Sequence, residues 1–167
     1  DAFGPNTLVH DKYYSLGGKF HQGGSRHLWG FKAGGDAPVG VLRSQTFTLS
    51  GNGGIDFLIG GGRDINNLYV ALVKASDGSI LFKETGRNSE AYQRVYWNAS
   101  AYLGQNVYIS IVDSSSGGFG HINADDFNVL NSKYYGGVVG SWSFNEGTGK
   151  TTTDAISGAA DPIAYHL

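Results

Sequence analysis

The sequence predicts an all-β protein built as an antiparallel β-sandwich. Helical periodicity is almost absent, whereas short alternating or apolar runs, bounded by Gly, Asn, Asp and Ser, recur about every ten residues. Glycine makes up 27 of the 167 residues, roughly double its usual share of about 7%, which indicates many turns. A chain of this length suits one domain with a sizeable hydrophobic core.

The predicted strands follow one another in short segments. Residues 41–49 alternate apolar and polar side chains and end at a tight reversal at residues 51–54. Residues 55–59 alternate again, and residues 68–73 are apolar throughout, which is typical of a central strand covered on both faces. Further strands are predicted at residues 80–82, 92–97, 107–111 and 122–129, with a short helical turn at residues 100–103.

The last of these strands carries two adjacent carboxylates at a break in its alternation. Ala124 and Phe127 are both apolar but three residues apart, so facing inward together requires one extra residue at Asp125 and Asp126. We therefore predict a β-bulge there. The two carboxylates repel each other unless a cation lies between them, and an oxygen-ligated calcium ion would serve; the alternative is a solvated pair.

Polar side chains concentrate on loops that should meet at one end of the sandwich. If consecutive strands run up and down, the loops at residues 60–67, 86–89 and 113–120 become neighbours. This end carries fork-shaped hydrogen-bonding groups suited to a small polar ligand, namely Arg63, Asp64, Asn66, Asn67, Arg87, Asn88, Glu90, Asp113 and His121.

Carbohydrate is the ligand class that this combination favours. Sugar recognition needs planar or bidentate polar groups for pairs of hydroxyls and an aromatic face for the apolar side of the ring. The predicted ligand-binding residues are Trp29, Arg63, Asp64, Asn67, Glu90, Tyr92 and His121. For the aromatic members the alternative is a place in the core.

Composition argues against several other classes. Charged residues are 16% of the chain and the net charge is -2, so the basic footprint of a nucleic-acid binder is missing. No apolar run approaches the roughly 20 residues of a membrane span. The chain has no Cys, which excludes disulfides, a thiol nucleophile and Cys-ligated zinc. It begins at Asp1 without a start methionine, and we expect a fragment of a longer protein.

Glycosidic hydrolysis would need two carboxyl groups, one with a raised pKa. Asp64, Glu90 and Asp113 could form such a pair, but each lies in a segment rich in Gly, Asn or Ser, and Arg63 and Arg87 would favour the ionised form. The sequence therefore predicts no catalytic residue.

The chain contains the segments HLWGFK at residues 27–32, GGGRD at 60–64, NLYVALV at 67–73, EAY at 90–92 and GGFGHIN at 117–123. These segments resemble non-catalytic modules attached to bacterial glycoside hydrolase family 32 enzymes of the inulinase, levanase or fructanotransferase type. The resemblance spans roughly residues 1–130 and is to carbohydrate-binding module family 38, with the levan-binding family 66 as a more distant functional relative. It implies a galactose-binding-domain-like jelly roll that holds an enzyme on inulin or levan.

The resemblance also implies a structural calcium ion. Such modules bind it through an Asp in a final-strand motif like residues 123–127 and through oxygens of an N-terminal strand, so Asp125 and Asp126 are the predicted metal ligands here. An opening strand with an acidic residue, expected before Asp1, is absent from the sequence. Residues 140–149 and 154–158 resemble the first strands of a laminin-G-like or concanavalin-like domain. We therefore predict a binding module over residues 1–133 and a linker with a domain fragment over 134–167.

The leading hypothesis is a secreted, extracellular bacterial module that binds fructan, targets an attached glycoside hydrolase to it, and is itself monomeric and non-catalytic. Neither nucleic acid nor membrane is an expected partner. Two alternatives remain: an interdomain scaffold that binds no sugar, and a glycosidase or lyase domain with an unusual acid and base.

Overall fold

The computed structural model describes residues 1–14, 17–130, 138–142, 152–153, 160–161 and 164–166. β-strands dominate these residues and form two six-stranded sheets and one two-stranded sheet, in all of which the strand pairs are antiparallel. The prediction of an all-β antiparallel sandwich is confirmed. The helical segments of the described residues are 3₁₀ turns of three or four residues, and none has the length or apolar character needed to cross a membrane.

The strands take the following bounds along the chain: β1 Leu8–Val9, β2 His27–Trp29, β3 Gly40–Arg43, β4 Phe47–Thr48, β5 Gly54–Gly61, β6 Leu68–Lys74, β7 Ile80–Glu84, β8 Ser89–Asn98, β9 Asn106–Asp113, β10 Ile122–Leu130, β11 Val138–Trp142, β12 Thr152–Thr153, β13 Ala160–Asp161 and β14 Ala164–His166. The 3₁₀ turns are Pro5–Thr7, Gly30–Ala33 and Ser100–Tyr102. The last of these lies where the sequence predicts a helical turn.

The two sheets share the chain in an interleaved order. In the first sheet the strands run β1-β2-β10-β5-β8, and β11 also pairs with β10. In the second sheet they run β14-β3-β9-β6-β7, and β4 also pairs with β9. Between β2 and β10 the chain changes sheet at every connection except β3–β4 and β6–β7, as in a jelly roll.

The main hydrophobic core lies between the sheets. Strand β5 contributes Ile55, Phe57 and Ile59, which are buried on one face as the predicted alternation requires. Strand β6 contributes Val70 and Leu72 from its position between β9 and β7, which confirms the prediction of a central strand. This packing fixes the strand ends from which the loops project.

A second, smaller cluster covers the outer face of the first sheet. It joins Val9, Phe20, Trp29, Leu58 and Tyr92, and Tyr14 packs against it. The connection between β1 and β2 supplies Phe20 and lies over the sheet, where the Tyr92 backbone N–H donates to the Phe20 carbonyl at 2.7 Å. The part of this face around Trp29, Leu58 and Tyr92 is therefore covered by protein, whereas Tyr96 farther along β8 is exposed.

The predicted bulge is present in β10. The register with β5 shifts between Asp125 and Asn128, and Asp126 has a left-handed φ of 51°. The extra residue keeps Ala124 and Phe127 both inside the main core. Here the sequence pattern and the observed backbone agree.

One predicted strand is divided in the structure, and the predicted domain boundary lies among residues that the structure does not describe. The single strand predicted at residues 41–49 is divided into β3 and β4, because the Ser44 hydroxyl accepts the Ile109 N–H at 2.9 Å where a ladder bond would otherwise form. Most of residues 134–167 lie outside the described residues, so the domain division at residue 133 stays a prediction. Within that segment, β11 pairs with β10 and β14 pairs with β3.

Candidate functional site

The predicted polar loops meet at one end of the sandwich. We call this surface the loop rim and define it as residues 62–67, 85–88 and 114–120. The Arg63 N–H donates to Asn88 Oδ1 at 2.7 Å, and the Ser114 N–H donates to the Asn67 carbonyl at 2.8 Å. The rim is therefore one connected surface, as the sequence predicts.

Glycine allows these loops to approach each other. A side chain at Gly62 would collide with the Phe119 carbonyl, and one at Gly86 would collide with the Gly61 carbonyl. The Gly62 N–H also donates to the His121 carbonyl at 2.9 Å. The glycine-rich run at residues 60–62 is thus needed for backbone packing between loops.

The exposed groups of the rim are mainly arginines and amides. Asp64 accepts the Asn66 N–H at 3.1 Å through Oδ1 and the Asn67 side-chain amide at 2.7 Å through Oδ2. Hydrogen bonds from the Asn67 side chain and the Asn66 backbone lower the pKa of Asp64, so it stays ionised. Arg63 and Arg87 are exposed, and no ion pair holds either guanidinium within the described residues.

Glu90 and His121 belong to a hydrogen-bond network beneath the rim. Glu90 Oε2 accepts the Trp29 indole N–H at 3.0 Å and the Asn123 side-chain amide at 2.7 Å. His121 Nε2 lies 3.1 Å from Glu90 Oε1, and His121 Nδ1 lies 2.6 Å from Asp36 Oδ1. Both ring nitrogens therefore face a carboxylate, which is an arrangement for a protonated imidazole.

The protonation of His121 follows from this geometry. Burial by itself would lower the pKa of His121, whose side chain is 3% exposed, but the hydrogen bonds to Glu90 and Asp36 outweigh burial and raise it. Asp36 also accepts the Phe119 N–H at 3.1 Å. The network thus ties the connection between β2 and β3 to the rim, and it makes Glu90 and His121 positioning groups for the rim backbone.

The two aromatic residues predicted as sugar contacts are buried. Trp29 is 5% exposed and Tyr92 is 6% exposed. The Tyr92 hydroxyl donates to the Leu28 carbonyl at 2.7 Å, and the Lys32 ammonium lies 4.9 Å from the Trp29 ring centre. Neither ring offers an open face to a ligand, so their assignment as ring contacts stays a prediction that their burial does not support.

Other aromatic rings are exposed beside the network. Phe31 is 39% exposed, its ring stacks on Trp29 at 6.0 Å, and it packs edge-on to His121 at 5.2 Å. Phe119 is half-buried on the rim, and its ring stacks on the His121 ring with the ring centres 5.2 Å apart. Phe31 falls in a 3₁₀ turn after β2, where strand alternation gives no signal for its direction.

Asp113 lies at the end of β9 and is buried. It is 1% exposed, its Oδ1 accepts the Ser115 N–H at 3.3 Å, and its Oδ2 is buried without a partner. Burial raises the pKa of Asp113 to about 7. The expectation of a solvated carboxyl is therefore wrong for Asp113, because β9 carries it below the surface instead of onto the exposed loop.

The predicted calcium ligands face different partners. Asp125 is fully buried; its Oδ2 accepts the Gly23 N–H at 2.8 Å, its Oδ1 has no partner, and burial raises its pKa to about 8. The Asp126 carboxylate instead pairs with Arg94, which also pairs with Asp56 at 2.8 Å. The cation beside Asp126 is thus a guanidinium.

These residues do not fit a calcium ion held between the two aspartates. Calcium takes six to eight oxygen ligands, whereas Asp125 offers one unpartnered buried oxygen and Asp126 is occupied by Arg94. No group of three or more His, Asp or Glu residues suited to a metal exists in the part of the chain that the structure describes. The calcium site stays a prediction.

One comparison with known proteins gives a match. The chain is 36% identical over 99 residues to a protein of Aspergillus rugulosus named "Putative glycosyl hydrolase ecdE". The match covers 59% of this chain and 14% of that protein, so the chain spans a small part of its relative's length. No protein-family profile matches the chain. The similarity connects this β-sandwich with a protein named for carbohydrate hydrolysis.

Proposed function

We propose that this chain is a non-catalytic carbohydrate-binding module that binds fructan at the loop rim and holds an attached glycoside hydrolase on that polymer. The observation that carries the proposal is the convergence of loops 62–67, 85–88 and 114–120 on one rim, where Arg63 and Arg87 are exposed and form no ion pair with any residue that the structure describes. The relative named as a glycosyl hydrolase supports the carbohydrate part of the proposal. The choice of fructan among carbohydrates rests on the sequence resemblance.

The rim supplies both kinds of contact that a sugar requires. Arg63 and Arg87 can each donate two parallel hydrogen bonds to neighbouring hydroxyls, and the exposed side-chain amide of Asn66 can donate and accept. Phe31 and Phe119, which both contact the His121 ring, provide apolar ring surface next to these groups. A fructosyl unit has hydroxyls that can pair with the polar side chains and C–H groups that can pack on the phenylalanine rings.

The carboxyl groups near the rim favour binding over hydrolysis. Glu90 is fully used by Trp29, Asn123 and His121, and Asp64 is held ionised by its amide neighbours. Asp113 has the raised pKa that a general acid needs, but it is 1% exposed. An acid that cannot reach the glycosidic oxygen cannot protonate it.

Affinity for a single site should be weak. Each exposed hydrogen bond exchanged for water contributes about 1 kcal/mol, so a few of them with one ring contact place the dissociation constant between micromolar and millimolar. Attachment to a hydrolase raises the effective concentration at the polymer and makes such weakness useful.

Isothermal titration with inulin, levan, sucrose and cellulose tests this function. We expect heat with inulin or levan, none with cellulose, and a loss of about tenfold in affinity for Arg63→Ala, since a double hydrogen bond is removed. Lys83→Ala, which removes an exposed cation from the second sheet, is the matched control and should bind normally. Absence of heat with every fructan would end the proposal in favour of the scaffold alternative.

A further inference from the structure

A second concave surface lies on the connection between β1 and β2, apart from the loop rim. It is a pocket of about 240 Å³ lined by Lys12, Tyr13, Lys19, His21, Gln22 and Gly24. We propose that this pocket binds one anionic sugar unit, a monosaccharide that carries a carboxylate or a sulfate group. The proposal does not depend on fructan binding, because fructose polymers carry no charge and the rim residues take no part.

The walls of the pocket are fixed by the fold. Tyr13 and Lys19 face each other in an antiparallel bridge, and the Phe20 N–H donates to the Lys12 carbonyl at 3.1 Å. Phe20 is fully buried against the outer face of the first sheet, 4.8 Å from the Trp29 ring. The segment is therefore anchored from below, and its basic side chains are left on the outer side.

The far wall is held by a different set of contacts. The Gln22 side-chain amide donates to the Asp11 carbonyl at 3.3 Å, and the Gly23 N–H donates to Asp125. His21 adopts a left-handed φ of 59°, a conformation that non-glycine residues rarely take, and this turns the chain around the pocket. The concave shape is thus built into the backbone before any ligand arrives.

Within the described residues, no carboxylate forms an ion pair with either lysine of the pocket, Lys12 or Lys19. The neighbouring Asp11 carboxylate pairs with Lys32 at 3.6 Å. The whole chain has a net charge of -2, so this local positive charge runs against the average. An anion between two ammonium groups relieves their mutual repulsion.

The other lining groups indicate a sugar as the carrier of that anion. Tyr13 is 54% exposed, and its ring can cover the apolar side of a pyranose. The Gln22 amide and the His21 imidazole add groups that pair with hydroxyls. The volume lies below the roughly 300–1,000 Å³ of pockets for drug-sized ligands, which suits a single ring. Two lysines are too few for the run of phosphate contacts that nucleic acids need.

Titration with charged oligosaccharides tests the proposal. The two arms are an oligogalacturonate, which carries carboxylates, and a sulfated galactan oligosaccharide; neutral galactan is the uncharged reference. We expect binding in at least one charged arm and weakening with added salt. For the double variant Lys12→Gln/Lys19→Gln we expect an affinity about tenfold lower, because both cations that pair with the anion are lost.

The controls separate this site from the rim. Lys83→Gln removes an exposed cation from the second sheet and should bind the charged sugars normally. The double variant should keep its circular dichroism spectrum and any affinity for fructan, while Arg63→Ala should keep its affinity for the charged sugars. The inference fails if neither charged sugar binds, if the double variant binds as well as the parent protein, or if duplex DNA binds the parent as tightly as the sugars do.

Discussion

Replacing Asp113 with Asn tests whether its buried carboxyl is protonated in the folded domain. Its pKa is about 7 in the fold, against 3.8 for an exposed aspartate. Between these two pH values the unfolded chain has lost the proton that the folded chain retains. The free energy of unfolding therefore falls by about 1.4 kcal/mol for each unit by which the pH rises. Integrated from pH 5 to pH 7 with these pKa values, the loss is about 2 kcal/mol.

Asn lacks the titrating proton, so the free energy of unfolding of Asp113→Asn should not show this loss. Relative to the parent protein, it should rise by about 2 kcal/mol between pH 5 and pH 7. Urea unfolding at several pH values measures this difference. Asp77→Asn is the matched control, since the pKa of Asp77 is lowered to about 2, chiefly by the Ser79 side chain, and it titrates below this range. If Asp113→Asn differed from the parent by the same amount at every pH, the buried carboxyl would not be the group that titrates.

Three further predictions concern the network, the exposed ring and the metal. His121→Gln should destabilise the domain by about 3 kcal/mol in thermal or urea unfolding at pH 6, because Asp36 and Glu90 lose the charge between them. The deficit should narrow as the pH rises above the raised pKa of His121, where the parent loses the same charge; a constant deficit would contradict this. Phe31→Ala should weaken fructan binding about fivefold with an unchanged melting temperature, and unchanged titration heats would exclude a ring contact. Calcium added after EDTA should leave the melting temperature unchanged, whereas a rise that Asp125→Asn removes would support the calcium site.

The strands of the fold could be predicted from the sequence because the alternation that defines them involves residues close together in the chain. Ile55, Phe57 and Ile59 define an inward face by alternation alone, and the break between Ala124 and Phe127 defines the bulge. The division between β3 and β4 could not be predicted, because it depends on a hydrogen bond from Ile109 to a hydroxyl 65 residues earlier. Local periodicity carries no signal for such a contact.

The site was harder to predict because burial depends on what covers each strand. The sequence predicts Glu90 and His121 at the end of the sandwich where the polar loops meet, but it carries no signal for Asp36, which reaches His121 from 85 residues away. Trp29 is a candidate ring contact from sequence because a glycine, Gly30, follows it, and Tyr92 because it lies near the polar loop end. The connection between β1 and β2 lays Phe20 over both rings, and nothing in its composition predicts that position.

The polar groups at and beneath the rim therefore have two different roles. The side chains of Glu90, His121 and Asp64 hydrogen-bond to other groups of the protein, so they are poor ligands for a sugar. These hydrogen bonds instead hold in place the loops that carry Arg63 and Arg87. A rigid rim loses little conformational entropy on binding, so a few free donors suffice for weak, specific contact. The same division limits affinity, because further hydroxyl contacts would have to replace bonds that hold the loops together. Stronger attachment to a polymer must come from linkage to another domain rather than from this surface alone.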